Sequence, residues 1–96
     1  MNEEYRTKKI RKHIVFTGHV QGVGFRFRLR SSAIRFGCTG WCHNEWDGSV
    51  VLEIQGTEKD IDDTILAATS GRFIGIDNMA VKSMEVNEKE YGFRVM

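Results

Sequence analysis

The sequence predicts an α+β sandwich in which two helices pack on one face of a largely antiparallel sheet, with a short extra strand near the C-terminal end. Three observations lead there. The candidate elements follow the order β-α-β-β-α-β, so strands do not strictly alternate with helices. One pair of strands is joined by Asp47-Gly48, a strong hairpin signal. Each candidate helix carries a single apolar stripe at helical period.

Ile10 to Thr17 holds the β-branched and aromatic run Ile14-Val15-Phe16 and reads as the first strand, ending at Gly18. Gly18 to Gly24 contains three glycines and reads as a loop. Phe25, Leu29, Ala33 and Phe36 then form one helical stripe, with arginines at 26, 28, 30 and 35 on other faces and Gly37 as the stop. Thr39 to Glu45 and Ser49 to Gln55 read as two strands around the hairpin. In the second of these, Val50, Leu52 and Ile54 alternate with Val51, Glu53 and Gln55. Thr57 and Asp60 have the spacing of a capping box, ahead of a helix whose stripe is Ile61, Ile65 and Ala68 and whose end is Ser70-Gly71. Arg72 to Asn78 reads as a loop, Met79 to Val86 as a strand, Asn87 to Glu90 as a turn, and Gly92 to Val95 as the short last strand.

A chain of 96 residues, 41% hydrophobic and 10% aromatic, makes one domain with an ordinary core. Residues 10–96 read as that domain and residues 1–9 as a flexible charged extension. No apolar stretch has signal-peptide or membrane-span length, so the expected setting is soluble and cytoplasmic, without membrane contact. A net charge of +1 argues against a dedicated nucleic-acid binder. The charge is nonetheless segregated. Residues 1–36 hold nine Lys/Arg against Glu3 and Glu4, whereas residues 37–96 hold five basic and eleven acidic groups. Opposite charges facing each other across the surface, or an anion site built from the first third, would both produce this split. Cys38 and Cys42, on one strand, would lie about 13 Å apart at 3.3 Å per residue. A disulfide needs Cα atoms within about 7 Å, so reduced, partly buried thiols are expected.

Gly18 to Arg26 carries the functional signal. A glycine-rich loop at a helix start presents backbone N–H groups without side-chain obstruction, and the helix end adds unsatisfied donors and a partial positive charge. Arg26 falls in the first turn, where a cation opposes the helix dipole unless an anion lies between them. A guanidinium there can grip a phosphoryl group bidentately. Other phosphate motifs are absent: there is no Walker loop, and Phe27 stands where a dinucleotide fingerprint needs its last glycine.

Gly18-His19-Val20-Gln21-Gly22-Val23-Gly24-Phe25-Arg26 closely resembles the first signature of the acylphosphatase family. Gly40-Trp41-Cys42-His43-Asn44, followed by Asp47-Gly48-Ser49-Val50, resembles the second. The resemblance extends over about residues 10 to 95. It implies a ferredoxin-like βαββαβ sandwich and hydrolysis of acyl phosphates without metal or cofactor. It further implies a catalytic pair of Arg26, which holds the phosphate, and Asn44, which positions the attacking water. The phosphate loop it implies runs through Gln21, Gly22, Val23, Gly24 and Phe25. The segment Gly71 to Met79 lacks the Gly-Pro that many relatives carry.

This chemistry needs little equipment, which fits a chain with no Ser/His/Asp signature, no H-E-x-x-H and no metal-ligand cluster. His13, His19 and His43 are scattered and read as structural, although His19 lies in the loop and would add charge there when protonated. The expected partner is a small acyl phosphate, and the expected state a monomer. Two alternatives compete: a non-catalytic phosphoanion-binding module of the same fold, and an RNA-binding sheet, for which the paired aromatics of an RNP1-like run are missing.

Overall fold

A computed structural model describes residues 7–96. Its elements are β1 (Lys9–His19), α1 (Phe25–Phe36), β2 (Thr39–Asn44), β3 (Val50–Thr57), α2 (Glu58–Thr69), β4 (Gly75–Met84) and β5 (Phe93–Val95). The five strands form one sheet in the order β4-β1-β3-β2-β5. All pairings are antiparallel except that of β5 with β2, which is parallel. The sandwich predicted from the sequence is therefore present, short extra strand included. β1 begins at Lys9, one residue inside the segment read as an extension, and residues 1–6 lie outside the described residues.

The two faces of the sheet divide the sequence by parity. Ile14 and Phe16 from β1, Cys42 from β2, and Val50, Leu52 and Ile54 from β3 meet Phe25, Leu29 and Ala33 of α1 and Ile61 and Ala68 of α2 in the core. Phe16 and Phe25 stack edge to face at 4.9 Å, tying the first strand to the first turn of α1. The helices are also joined end to side. The Arg28 guanidinium donates to the carbonyls of Ala67 and Ala68 at 3.0 and 3.1 Å, satisfying acceptors at the α2 C-terminus.

The charge segregation resolves on the sheet's outer face. Arg11, only 5% exposed, donates to Glu53 at 3.0 Å and to both oxygens of Glu90 at 2.7 and 3.1 Å. His13 bonds the other Glu53 oxygen at 2.8 Å, and Lys12, nearer the helix side, bonds Glu58 at 2.9 Å. The basic first strand thus faces its acidic neighbours directly. Hydrogen bonds with Glu90 raise the Arg11 pKa further, against the opposing effect of burial. Burial pushes the Glu53 carboxyl up, but hydrogen bonds from His13 and Arg11 outweigh it and leave the group below its ordinary value.

Two local readings need correction. β4 starts at Gly75, inside the segment read as a loop, because β1 runs on past Thr17 and keeps pairing: Gly18 faces Ile76 and His19 faces Gly75. The register shifts between Thr17 and Gly18, leaving Asp77 as the extra residue and breaking the alternation that marks a strand. Gly18 sits at φ +126°, and a Cβ there would lie 2.3 Å from the Gly75 carbonyl oxygen, so this close approach requires glycine. The hairpin is also longer than two residues. Glu45 N–H donates to the Ser49 carbonyl at 2.8 Å, which leaves Trp46, Asp47 and Gly48 at the tip. Asp47 accepts from both the backbone N–H and the hydroxyl of Ser49, which lowers its pKa.

Replacing Arg11 with Met leaves two nearly buried carboxylates without their cation and should destabilise the fold by about 3 kcal/mol in urea denaturation. The folded Glu53 carboxyl keeps its charge to lower pH than the unfolded one. Its contribution is therefore complete above about pH 5 and is lost as pH falls through the folded value. Glu53→Gln should flatten this acid limb of a stability-versus-pH curve while lowering stability at pH 7.

Candidate active site

α1 starts in an unusual way. Its N-cap is Gly24 at φ +77°, a left-handed conformation open to glycine, and no side chain caps the helix. No acidic residue lies in the first turn. The other helix has both features: the Thr57 hydroxyl accepts from Asp60 N–H at 3.1 Å, and Glu58 and Asp60 occupy the first turn. Among the described residues, the N–H groups of Gln21 through Phe25 have no protein acceptor. Exposed donors, a helix dipole and a cation in the first turn are together the equipment an anion would need here.

A cavity of about 180 Å³ lies at this point, lined by Val20, Gly22, Gly24, Phe25, Arg26, Phe27 and Asn44. Of the residues singled out in the sequence, Arg26, Asn44, Gly22, Gly24 and Phe25 thus come together. Gln21 and Val23 do not line the cavity; they fasten the loop around it. The Gln21 amide donates to the carbonyls of Glu45 and Ser49 at 2.7 and 2.9 Å, the same pair that closes the hairpin. Val23 packs against the core. His19 ends β1 and is not in the lining.

β2 carries Asn44 to the cavity as its last residue. Strand parity sets Asn44 on the helix side with Gly40 and Cys42, and Thr39, Trp41 and His43 on the other. Asn44 is exposed, and its side-chain amide has no protein partner among the described residues. His43 instead bonds Glu45 at 2.9 Å and meets Trp41 edge to face, away from the cavity.

The Arg26 guanidinium is held from below. Its Nη1 donates to the Met96 carbonyl at 2.8 Å, while Met96 N–H donates to the Cys42 carbonyl at 2.8 Å. The parallel strand β5 therefore relays the position of β2 to Arg26. Cys42 lies beneath, its thiol 3.7 Å from the Arg26 carbonyl oxygen. Burial raises the Cys42 pKa to about 11, although the nearby Arg26 charge pulls it down. Burial raises that of Cys38 as well. Both cysteines are free. The sequence offered no signal for the Met96 contact or for the Gln21 clamp, since each joins residues far apart in the chain.

The acylphosphatase family model matches residues 12–95. The chain belongs to that family. Acylphosphatases are hydrolases of acid anhydrides, acting on small acyl phosphates. An acylphosphatase of Geobacillus kaustophilus is 38% identical over 89 residues, 90% of this chain and 93% of its own length. One from Bifidobacterium longum is 42% identical over 78 residues, 80% of each. The crystal structure of the Bacillus subtilis acylphosphatase superposes with a TM-score of 0.83 at 27% identity, covering 91% of this chain and 98% of the other. No helix among the described residues is long and apolar enough to cross a membrane.

Two outcomes follow for this acylphosphatase. Gln21→Ala should lower stability by about 1–2 kcal/mol in denaturant titration, since the Glu45 and Ser49 carbonyls each lose one of two donors and the loop is untied from the hairpin. It should also raise KM for an acyl phosphate more than it lowers kcat, because the loop loses its anchor. Neither thiol should react with iodoacetamide in the native protein at pH 8, and both should react after unfolding, as read by mass spectrometry.

Proposed function

We propose that Arg26 and the N–H groups of the 21–25 loop hold the phosphoryl group of an acyl phosphate, and that Asn44 orients the water that attacks it. The observation that carries this is the convergence of three unlike polar groups on one small cavity: the unpaired amides of Gly22, Gly24 and Phe25, the Arg26 guanidinium and the free Asn44 amide.

The leaving group explains why such a site suffices. A carboxylate with a conjugate-acid pKa of about 4 departs without protonation, so no general acid is required. Phosphoryl transfer passes through a loose transition state, with charge spread over the equatorial oxygens. The loop amides and Arg26 supply fixed donors for that charge, in a site that need not reorganise as the bond breaks. Asn44 cannot take a proton at neutral pH, but its amide oxygen can accept from the water and aim a lone pair at phosphorus. The water oxygen bonds to phosphorus, the anhydride P–O bond breaks toward the carboxylate, and both water protons end on the phosphate product. Neither a carboxylate nor a histidine lines the cavity, in keeping with a mechanism in which the protein takes up no proton.

Free buried thiols suit a reducing cytoplasm, so a cytoplasmic setting completes the proposal, with the monomer expected from the sequence.

Phosphate release from benzoyl phosphate by the purified protein, without added metal, tests the whole. Arg26→Ala should lower kcat/KM by at least about a thousandfold and abolish competition by inorganic phosphate. Asn44→Ala should lower kcat by about a hundredfold or more while the inhibition constant of phosphate stays within about twofold. An Asn44→Ala protein with native kcat would remove the water-positioning role.

A further inference from the structure

The apolar side chains around the cavity at the start of α1 differ in access. Val20 and Phe25 are 1% exposed and belong to the core, whereas Phe27 is 63% exposed. Other large apolar side chains also stand in solvent, Trp46, Leu66 and Tyr91 among them, but of these exposed groups Phe27 alone lines the cavity. A single exposed apolar side chain is ordinary on a protein surface and by itself calls for no explanation. The surroundings of this one give it a use.

Phe27 is the third residue of α1 and follows Arg26 directly. A helical side chain leans toward the N-terminal end of its helix, so this ring overhangs the helix start, where the cavity lies. Among the described residues it meets no other ring and no cation. A second groove of about 420 Å³, between α1 and α2, also has Phe27 in its lining and runs past Ser31 and Ser32. The cations of that groove are engaged: Arg28 bonds the α2 carbonyls, and Arg35 lies over the Phe36 ring. A group leaving the cavity by this route therefore meets an aromatic surface before any free charge.

The phosphoryl group fixes where the acyl group goes. The acyl carbon is two bonds from phosphorus, so its substituent emerges among the residues that line the cavity. An in-line displacement sets the attacking water and the leaving carboxylate on opposite sides of phosphorus. Asn44 reaches the cavity from the sheet, and Phe27 reaches it from the helix layer. We propose that Phe27 is the acyl contact of the site: the acyl substituent lies against its ring, and a planar, conjugated substituent gains stacking that a small alkyl one does not. This rests on the phosphate site proposed above and makes Phe27 the residue that sets acyl preference there.

Two non-hydrolysable phosphonates test this by binding alone. In 2-oxo-2-phenylethylphosphonate a methylene replaces the bridging oxygen of benzoyl phosphate; 2-oxopropylphosphonate is the same analogue of acetyl phosphate. Titration calorimetry should give a Kd about fivefold lower for the phenyl compound. The preference should survive about 0.5 M salt, because no charge distinguishes the two compounds. Phe27→Ala should bring the two Kd values within about twofold by weakening the phenyl compound, while Phe27→Tyr should retain the preference. Phe27 is exposed, so neither change should disturb the fold, and binding of inorganic phosphate, held within about twofold, reports an intact site. Equal Kd values in the native protein, an undiminished preference in Phe27→Ala, or a Phe27→Ala variant that weakens both compounds and phosphate alike would overturn the acyl contact. Turnover of benzoyl phosphate is read separately. Its absence beside an intact binding preference would strike the catalytic assignment alone, and turnover with equal Kd values would strike the role of Phe27 alone.

Discussion

The architecture turns on how α1 begins. A helix normally meets its first unsatisfied N–H groups with a capping side chain, and α2 does so through Thr57. α1 instead begins on Gly24, whose left-handed backbone turns the chain into the helix while contributing no acceptor. The helix end therefore keeps its donors. Everything around it holds that exposed end in place: Phe25 is locked into the core against Phe16, and Gln21 grips the hairpin closure. The second signature then arrives from the adjacent strand. The first-turn arginine, unfavourable beside a bare helix dipole, is steadied by the carbonyl of Met96, the residue after β5.

β2 links the parts. It contributes Cys42 to the core beneath α1, Asn44 to the cavity, and a carbonyl to Met96, which in turn holds Arg26. A six-residue strand thus sets the spacing between the two proposed catalytic groups. The sheet's outer face makes an independent contribution. Its ion pairs bind β1 to β3 and to the segment before β5, and they lie on the opposite side from the cavity. The Arg11–Glu53 and His13–Glu53 pairs are thereby separated from Arg26 and Asn44 by the thickness of the sheet.

What the sequence made legible was what is locally encoded. Glycine punctuation marked the loop, the stripes Phe25-Leu29-Ala33 and Ile61-Ile65-Ala68 marked the helices, and the alternation of Val50 to Gln55 marked the central strand. The charge split was visible, though only pairing register could show that Arg11 and His13 lie against Glu53. Less legible were features created by closure between distant segments. The bulge at Asp77 hid the start of β4, and neither the Gln21 clamp nor the Met96 contact has a local signature. The cavity residues were identifiable because two short motifs hold them, while the groove beside Phe27 depends on α2 lying along α1.

The position of β1 bears on how such a chain is made. β1 precedes the other described strands of the domain, yet it lies inside the sheet, and both its neighbours, β3 and β4, come later. Arg11 finds Glu90 79 residues further on, and Arg26 reaches Met96 70 residues further on. A nascent chain emerging from the ribosome would expose β1 and α1 long before their partners existed. Such long-range pairing delays the cooperative transition, so Arg26 gains its Met96 contact only when the whole of this domain has left the exit tunnel.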